Sequence, residues 1–375
     1  MTKSGKNIAW VVGIIIVVVL IVVATRGSNN DSGPIKIGFI GPLSGGAASY
    51  GESAKNAVVI AVTEINQSGG INGRQIDPIY EDGKCSDQDA VSAAQKLVNI
   101  DNVKYLIVSC SNEAFSIIPI INSNKVFAIS PIASAPKLSG MSPYFMRNNP
   151  NDNLFGVILA DYVASSSYKT VATISEQTDY AQGIKAVFLS EIQKKGLGSV
   201  SVQDYTSDTS DFRSMLSKLK SSNPDAIFIN AQTGAHLVEI AKQARQLGIT
   251  SAFVGDQLGP DPAVTEAGSL LNGMVFADEL GLAGNKGQTF MDSYQKEYNS
   301  APVYPFYAGA GYDDVYLIAQ AISSVGNDTT KVEQYLHTIP NYTGTIGTYS
   351  FDQNGDIVGV GALFHKIING KLVNI

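Results

Sequence analysis

Histidine and cysteine are scarce in this chain of 375 residues, which holds three of the first (His236, His337, His365) and two of the second (Cys85, Cys110). The histidines stand alone in helix- or strand-like surroundings. No cysteine, histidine and carboxylate set has zinc spacing, so no metal is expected. Charge is sparse at 16% of residues, and basic charge is outnumbered: 26 Lys and Arg against 33 Asp and Glu leave a net charge of -7 and a pI of about 5.0. That balance argues against nucleic acid as a partner. Signatures of catalysis are also missing. Ser44-Gly45 lacks the Gly-x-Ser-x-Gly elbow of a serine hydrolase, and Gly41-Pro-Leu-Ser-Gly-Gly46 has no lysine with which to cradle a phosphate. Asp352-Gln-Asn-Gly-Asp356 has Ile357 where a calcium loop needs glycine and Leu363 where it needs its last carboxylate, so it reads as a turn. The chain is not expected to be an enzyme, and no cofactor is implied.

Long apolar runs occur once, from Ile8 to Ala24, broken only by Gly13 and preceded by Lys3 and Lys6. The run is long for a signal-peptide core and at the short end for a membrane span. Val22-Val23-Ala24 is a poor cleavage site because Thr25-Arg26 follows, and no cysteine comes next to take a lipid. An uncleaved anchor over residues 8–24 is expected, with a cleaved signal as the alternative. Either way the lysines stay inside, and everything beyond Arg26 lies outside the cytoplasm, in the periplasm or at the cell surface. Gly27 to Gly33 then forms a flexible tether.

About 340 residues remain, more than one compact core accommodates, so two domains are expected. Strand-like and helix-like segments alternate. Strands are read at Ile35–Ile40, Gln75–Glu81, Val103–Val108 and Val126–Ile129. Helices are read at Ser53–Gln67, Asp87–Ile100 and Glu113–Ser123. A second series has helices Asn151–Ser166, Tyr180–Lys195, Asp211–Ser222 and Ala235–Leu247 between strands Thr170–Ser175, Val200–Tyr205, Ala226–Asn230 and Ala252–Gly255. Helices Lys286–Asn299, Tyr307–Val325 and Thr330–Thr338 follow, then a final hairpin turning at Asp352–Asp356. Such alternation predicts an α/β protein of two doubly wound parallel-sheet lobes, with ligand in the crevice beyond the strands' carboxyl ends. The polar stretch Met146–Asp152 separates the series and reads as a hinge.

Polar and aromatic residues recur just past strand ends. After Ile35–Ile40, Gly41-Pro42 stops the strand, Ser44-Gly45-Gly46 makes a turn, and Tyr50 caps the loop; a tight turn with a packed tyrosine is the plainer reading. Cys110-Ser111-Asn112 opens a helix, where the Ser111 hydroxyl and free N–H groups suit a carboxylate, unless Ser111 is only an N-cap. Cys85 and Cys110 each follow a strand, and in an exported chain an even pair is most simply a disulfide.

The opening loop, the cysteine pair, Ile129-Ser-Pro, Tyr180 and the late Gly311-Tyr312-Asp313 helix together resemble the bacterial Leu/Ile/Val-type solute-binding proteins of type I periplasmic-binding fold, over Ile35 to Ile375. The resemblance implies a bridge between Cys85 and Cys110. It also implies lobes built from two segments each: residues 34–149 and 277–347 for one, 150–276 and 348–375 for the other, after the leader 1–33. In that pattern Ala133 offers backbone groups, Ser134 a hydroxyl, and Tyr180 closes over the ligand with Gln232 beside it. Amino-acid binders place a carboxylate near Val254–Gln257 for the ligand's ammonium. Here either Asp256 or Gln257 takes that place, the first keeping a zwitterionic ligand such as a branched-chain or other neutral amino acid, the second favouring an amide or urea-like one. Of the aromatics at 302–307, Phe306 is the side-wall candidate. The implied partners are a small-molecule ligand, an ABC permease and ATPase, and the membrane through the N-terminal segment. A sensor ectodomain on the same fold is the alternative to an importer.

Overall fold

The protein, seen here as a computed structural model, is described over residues 33–375. The apolar run at 8–24 lies outside the described residues. The first lobe has five parallel strands: β1 (Ile35–Gly41), β2 (Ile76–Asp82), β3 (Tyr105–Val108), β4 (Phe127–Ser130) and β5 (Phe145–Arg147), in the order β2-β1-β3-β4-β5. Every residue of β3 and β4 is buried, as expected of strands covered on both faces. Helices α1 (Ala48–Gln67), α2 (Asp87–Gln95) and α3 (Ser111–Asn124) supply the connections. Leu97, Leu106, Ile117 and Ile121 pack on one face of the sheet, and Ile37, Phe39, Val58 and Tyr105 on the other.

The second lobe repeats the pattern. Strands β6 (Thr170–Glu176), β7 (Gly198–Tyr205), β8 (Ala226–Asn230), β9 (Ala252–Asp256) and β10 (Val275–Glu279) lie in the order β10-β9-β8-β6-β7. Renumbered within the lobe, that is again 2-1-3-4-5. Its helices are α4 (Asp152–Ser165), α5 (Asp179–Lys194), α6 (Arg213–Ser221), α7 (Gly234–Gln246) and the short α8 (Pro262–Ala267). The chain then returns to the first lobe for α9 (Gly284–Tyr298), α10 (Pro305–Val325) and α11 (Thr329–His337), with α10 packed on α1.

Several expectations are corrected here. Residues 348–358, expected in the second lobe, do not join its sheet, and neither do residues 342–347 before them. They form a separate three-stranded sheet of β11 (Tyr342–Thr343), β12 (Thr348–Phe351) and β13 (Ile357–Val358). Asp352–Asp356 turns that hairpin, while a second one, β14 (Ala362–Ile368) with β15 (Lys371–Asn374), turns at Asn369-Gly370 and adds two antiparallel strands beyond β10. In the polar stretch at 146–152, read as a hinge, Arg147, Asn148, Asn149 and Asp152 are wholly buried. Arg147 pairs with Asp356 (Nε to Oδ1 2.7 Å) and donates to the Ala135 carbonyl. Helix α1 starts at Ala48, ahead of Ser53, whose hydroxyl donates back to the Ser49 carbonyl instead of capping.

Candidate functional site

In a 2-1-3-4-5 sheet the crevice lies where the chain reverses direction, between the first and third strands. That places one half-site at the ends of β1 and β3 and the other at the ends of β6 and β8. The two face each other across the cleft. Between them lies a cavity of about 30 Å³ lined by ten residues, six of them candidates from the sequence: Tyr50, Ser111, Ser134, Tyr180, Gln232 and Gln257. The other lining residues are Cys110, Ile132, Leu258 and Tyr307.

Tyr50 lies in the first turn of α1. That turn approaches the β1 loop so closely that a Cβ on Gly51 would meet the Pro42 carbonyl oxygen at 2.1 Å. The Tyr50 hydroxyl crosses the cleft to the Gln232 carbonyl at 2.9 Å. Ser111 is the first residue of α3 and accepts the N–H groups of Ser134 and Ala135, both at 3.1 Å. Its own proton is therefore free to donate into the cavity. Neither Ser111 nor Ser134 caps a helix; Cys110 stands at the α3 cap position. Ser134 instead donates to Asp152 at 3.1 Å.

Three candidates fall outside the lining set. Asn112 is the next residue along α3 and does not reach the cavity. Ala133 spends its N–H on the Ser130 hydroxyl at 2.8 Å, and Ile132 lines the cavity in its place. Asp256, the last residue of β9, sits behind Tyr180, whose hydroxyl donates to it at 2.6 Å. Burial pushes the Asp256 carboxyl well above the usual carboxylate range, partly offset by that bond. Gln257 follows with φ of 50°. This left-handed kink turns it to the wall, where its amide donates to Asp152 at 2.8 Å and its oxygen lies 3.3 Å from the Tyr307 hydroxyl.

The wall thus presents hydroxyls, amides and apolar groups, and no ionisable carboxyl or base among its lining residues. Acids stand behind it. Asp152, fully buried, is pushed up to about 7 by desolvation against the bonds from Gln257 and Ser134. Tyr307 was missed by the sequence reading in favour of Phe306, its neighbour on α10. One residue of helix turns a side chain by about 100°, and periodicity cannot say which of two adjacent aromatics faces a cleft that the helix enters at its first turn.

Beside the cavity, Cys85 and Cys110 are bonded, with their Cα atoms 5.3 Å apart. Glu113 accepts the backbone N–H of both, at 3.0 and 2.8 Å. Burial raises its carboxyl to about 7 despite those bonds. The histidines, expected from sequence to stand alone, each meet a carboxylate. His236 meets Glu176 (3.1 Å), His365 meets Asp278 (2.6 Å) and His337 meets Glu333 (2.8 Å). For the first two the partner comes from an element distant in sequence, a strand end facing a helix for His236 and a neighbouring strand for His365, out of reach of local pattern.

Residues 34–364 match a family model described as periplasmic binding protein. The chain belongs to that family. Its members are solute-binding proteins rather than enzymes, and the family places the chain outside the cytoplasm. A leucine-, isoleucine-, valine-, threonine- and alanine-binding protein of Pseudomonas aeruginosa is 28% identical over 333 residues, 86% of this chain and 87% of that one. An isoleucine-bound substrate-binding protein of a branched-chain amino acid transporter from Streptococcus pneumoniae is 27% identical, with a TM-score of 0.80 over 91% of this chain and all of that one. A benzoate-bound solute-binding protein from R. palustris shares the fold at 20% identity and TM-score 0.81, covering 92% and 96% of the two chains. The molecules named for these proteins differ, from aliphatic amino acids to benzoate.

Proposed function

We propose that this periplasmic binding protein captures a small, uncharged polar solute carrying an amide- or urea-type group, and passes it to an ABC permease and ATPase after hinged closure of its lobes. The observation that supports this ligand class is the proton inventory of the wall. Ser111 offers a hydroxyl proton, suited to a carbonyl oxygen. Gln257 offers an oxygen whose tyrosine contact is long, suited to an N–H group. The acids that an ammonium would seek are already engaged: Asp256 by Tyr180, and both oxygens of Asp152 by Gln257 and Ser134. A cavity of about 30 Å³ also favours a compact molecule, since one water needs roughly 10–15 Å³ on this measure. The roles of Tyr50, Ser111, Ser134, Tyr180, Gln232 and Gln257 as ligand contacts belong to this proposal, and so does tethering to the membrane by residues 8–24.

A second reading, a neutral amino acid, is supported by the names of the relatives just given. Mass spectrometry of whatever co-purifies, followed by calorimetry against acetamide, urea, glycine, alanine, leucine and isoleucine, tests the choice. Tighter binding of acetamide or urea than of any amino acid is expected. Leucine or isoleucine at the head of the series sinks the amide reading in favour of the second. Permease-dependent uptake of the identified ligand into vesicles separates import from sensing.

A further inference from the structure

We propose that a second chamber beside the ligand cavity, on the far side of Tyr307, binds an organic ammonium ion with an apolar body. The chamber holds about 290 Å³ and takes walls from both lobes. Val303, Phe306 and Tyr307 come from the first lobe; Asp278, Glu279, His365 and Leu372 come from the second. It is larger than the ligand cavity and differs in chemistry, with its ionisable groups gathered in one corner and aliphatic or aromatic surface elsewhere. Two carboxyls, Asp278 and Glu279, are adjacent in that corner. Asp278 is provided for, since His365 meets one oxygen at 2.6 Å and the Gly259 N–H reaches the other. Glu279 accepts from the Tyr307 hydroxyl, 3.0 Å from one oxygen, and from its own backbone N–H, and no Lys or Arg lines the chamber.

Burial without a neighbouring cation disfavours the charged form of a carboxyl. Burial, reinforced by the neighbouring Asp278, does push Glu279 well above its ordinary range. An entering ammonium supplies the missing charge, while its apolar body displaces water from Val303, Phe306 and Leu372. A bare divalent cation fits poorly, because calcium or magnesium needs six or more oxygens around it and this chamber offers its oxygens on one side only. An occupant touching both lobes also favours the closed arrangement.

Tyr307 links the two spaces. Its single hydroxyl proton lies between two acceptors, Glu279 at 3.0 Å and Gln257 at 3.3 Å. With Glu279 protonated, the carboxyl donates to Tyr307, which can donate on to Gln257. With Glu279 ionised by the ammonium, the tyrosine proton goes to Glu279 and the Gln257 oxygen is freed.

Calorimetry of the full-length chain in detergent with benzylamine, benzyl alcohol and benzoate at neutral pH tests the chamber directly. Benzylamine is expected to bind at least tenfold more tightly than either control. Glu279→Gln is expected to weaken it about 30-fold or more, the loss typical of removing one partner of a desolvated charged pair. Leu372→Trp, which fills the chamber without changing charge, is expected to abolish binding, and it decides alone if the Glu279 variant does not fold. Ser111→Ala, in the ligand cavity, is expected to leave benzylamine binding unchanged. Equal affinity for the three probes overturns the proposal. So does benzylamine binding that survives the chamber variants, or binding lost in Ser111→Ala instead.

Discussion

Tyr50 of the first lobe donates its hydroxyl to the main-chain carbonyl of Gln232 in the second, 2.9 Å away. The ring is held in place by edge contacts with Tyr304 (centroids 4.7 Å apart) and Tyr307 (6.3 Å). Tyr304 makes a parallel crossing, donating to Asp261 at 2.8 Å.

Removing the first clasp should weaken closure without disturbing either core. A neutral buried hydrogen bond contributes about 0.5–1.5 kcal/mol net, so Tyr50→Phe is expected to weaken the best ligand of the calorimetric panel roughly two- to tenfold. Stopped-flow release should show the change in the off-rate. An unchanged affinity means that the hydroxyl contributes nothing to closure.

Asp256 and Gln257 make a paired test of ligand charge. Asp256→Asn keeps an acceptor for Tyr180 and should alter amide or urea binding by less than about threefold, a difference under 1 kcal/mol. Gln257→Glu puts a carboxylate on the wall beside Asp152, and should shift the ratio of amino-acid to amide affinity at least tenfold toward the amino acid. A loss of about 30-fold for a neutral amino acid in Asp256→Asn would instead make that acid the ammonium partner.

The bridge between Cys85 and Cys110 closes a loop of sequence separation 25, worth about 3 kcal/mol in the chain-entropy model. Reduction, or the double serine variant, is expected to lower the melting temperature by roughly 6–12 °C. Because Cys110 also lines the ligand cavity, affinity should fall in the same preparation. Recovering both cysteines as free thiols from the unreduced, denatured protein disproves the bridge.

Stability should decline as pH rises from about 4 to 7. Glu113 and Asp152 have folded values of about 7, raised by burial above ordinary values of 4.5 and 3.8. The folded state therefore binds more protons than the unfolded one across that window. The stability that the uncharged carboxyls contribute is complete below about pH 4 and lost as pH climbs through 7. His236, raised by Glu176, acts in the same direction, its contribution lost as pH rises through its folded value. Urea midpoints at constant ionic strength should be higher at pH 5 than at pH 7.5; a midpoint that rises with pH contradicts the assignment.

Among the described residues no helix is long and apolar enough to cross a membrane. If Ile8–Ala24 is the tether, the protein should sediment with membranes and be released by proteolysis within residues 27–33. A mature N-terminus at Thr25 or later on intact cells argues for a cleaved signal.

Much of this architecture was legible because buried parallel strands and amphipathic helices leave opposite periods in sequence. Ile35–Ile40, short and alternating, and Ala226–Asn230, short and mostly apolar, fall within β1 and on β8. What escaped was set by tertiary placement. The resemblance put a lobe boundary at 276/277, inside β10, and the two acids that end this strand are buried, Asp278 against His365 and Glu279 against Tyr307. The choice between Asp256 and Gln257 turned on one left-handed residue. A single backbone angle decides which of two neighbouring side chains faces the cleft, and neither side chain announces it.

The contact of Tyr50 with a main-chain atom has a consequence for how such a protein can change. A clasp that grips the carbonyl at position 232 is indifferent to the side chain there. That side chain can be exchanged for one that suits a different solute while the latch between the lobes keeps its strength. On the proposed function, recognition and closure are thus separately adjustable at one residue, so the solute that is bound can change while the clasp between the lobes is kept.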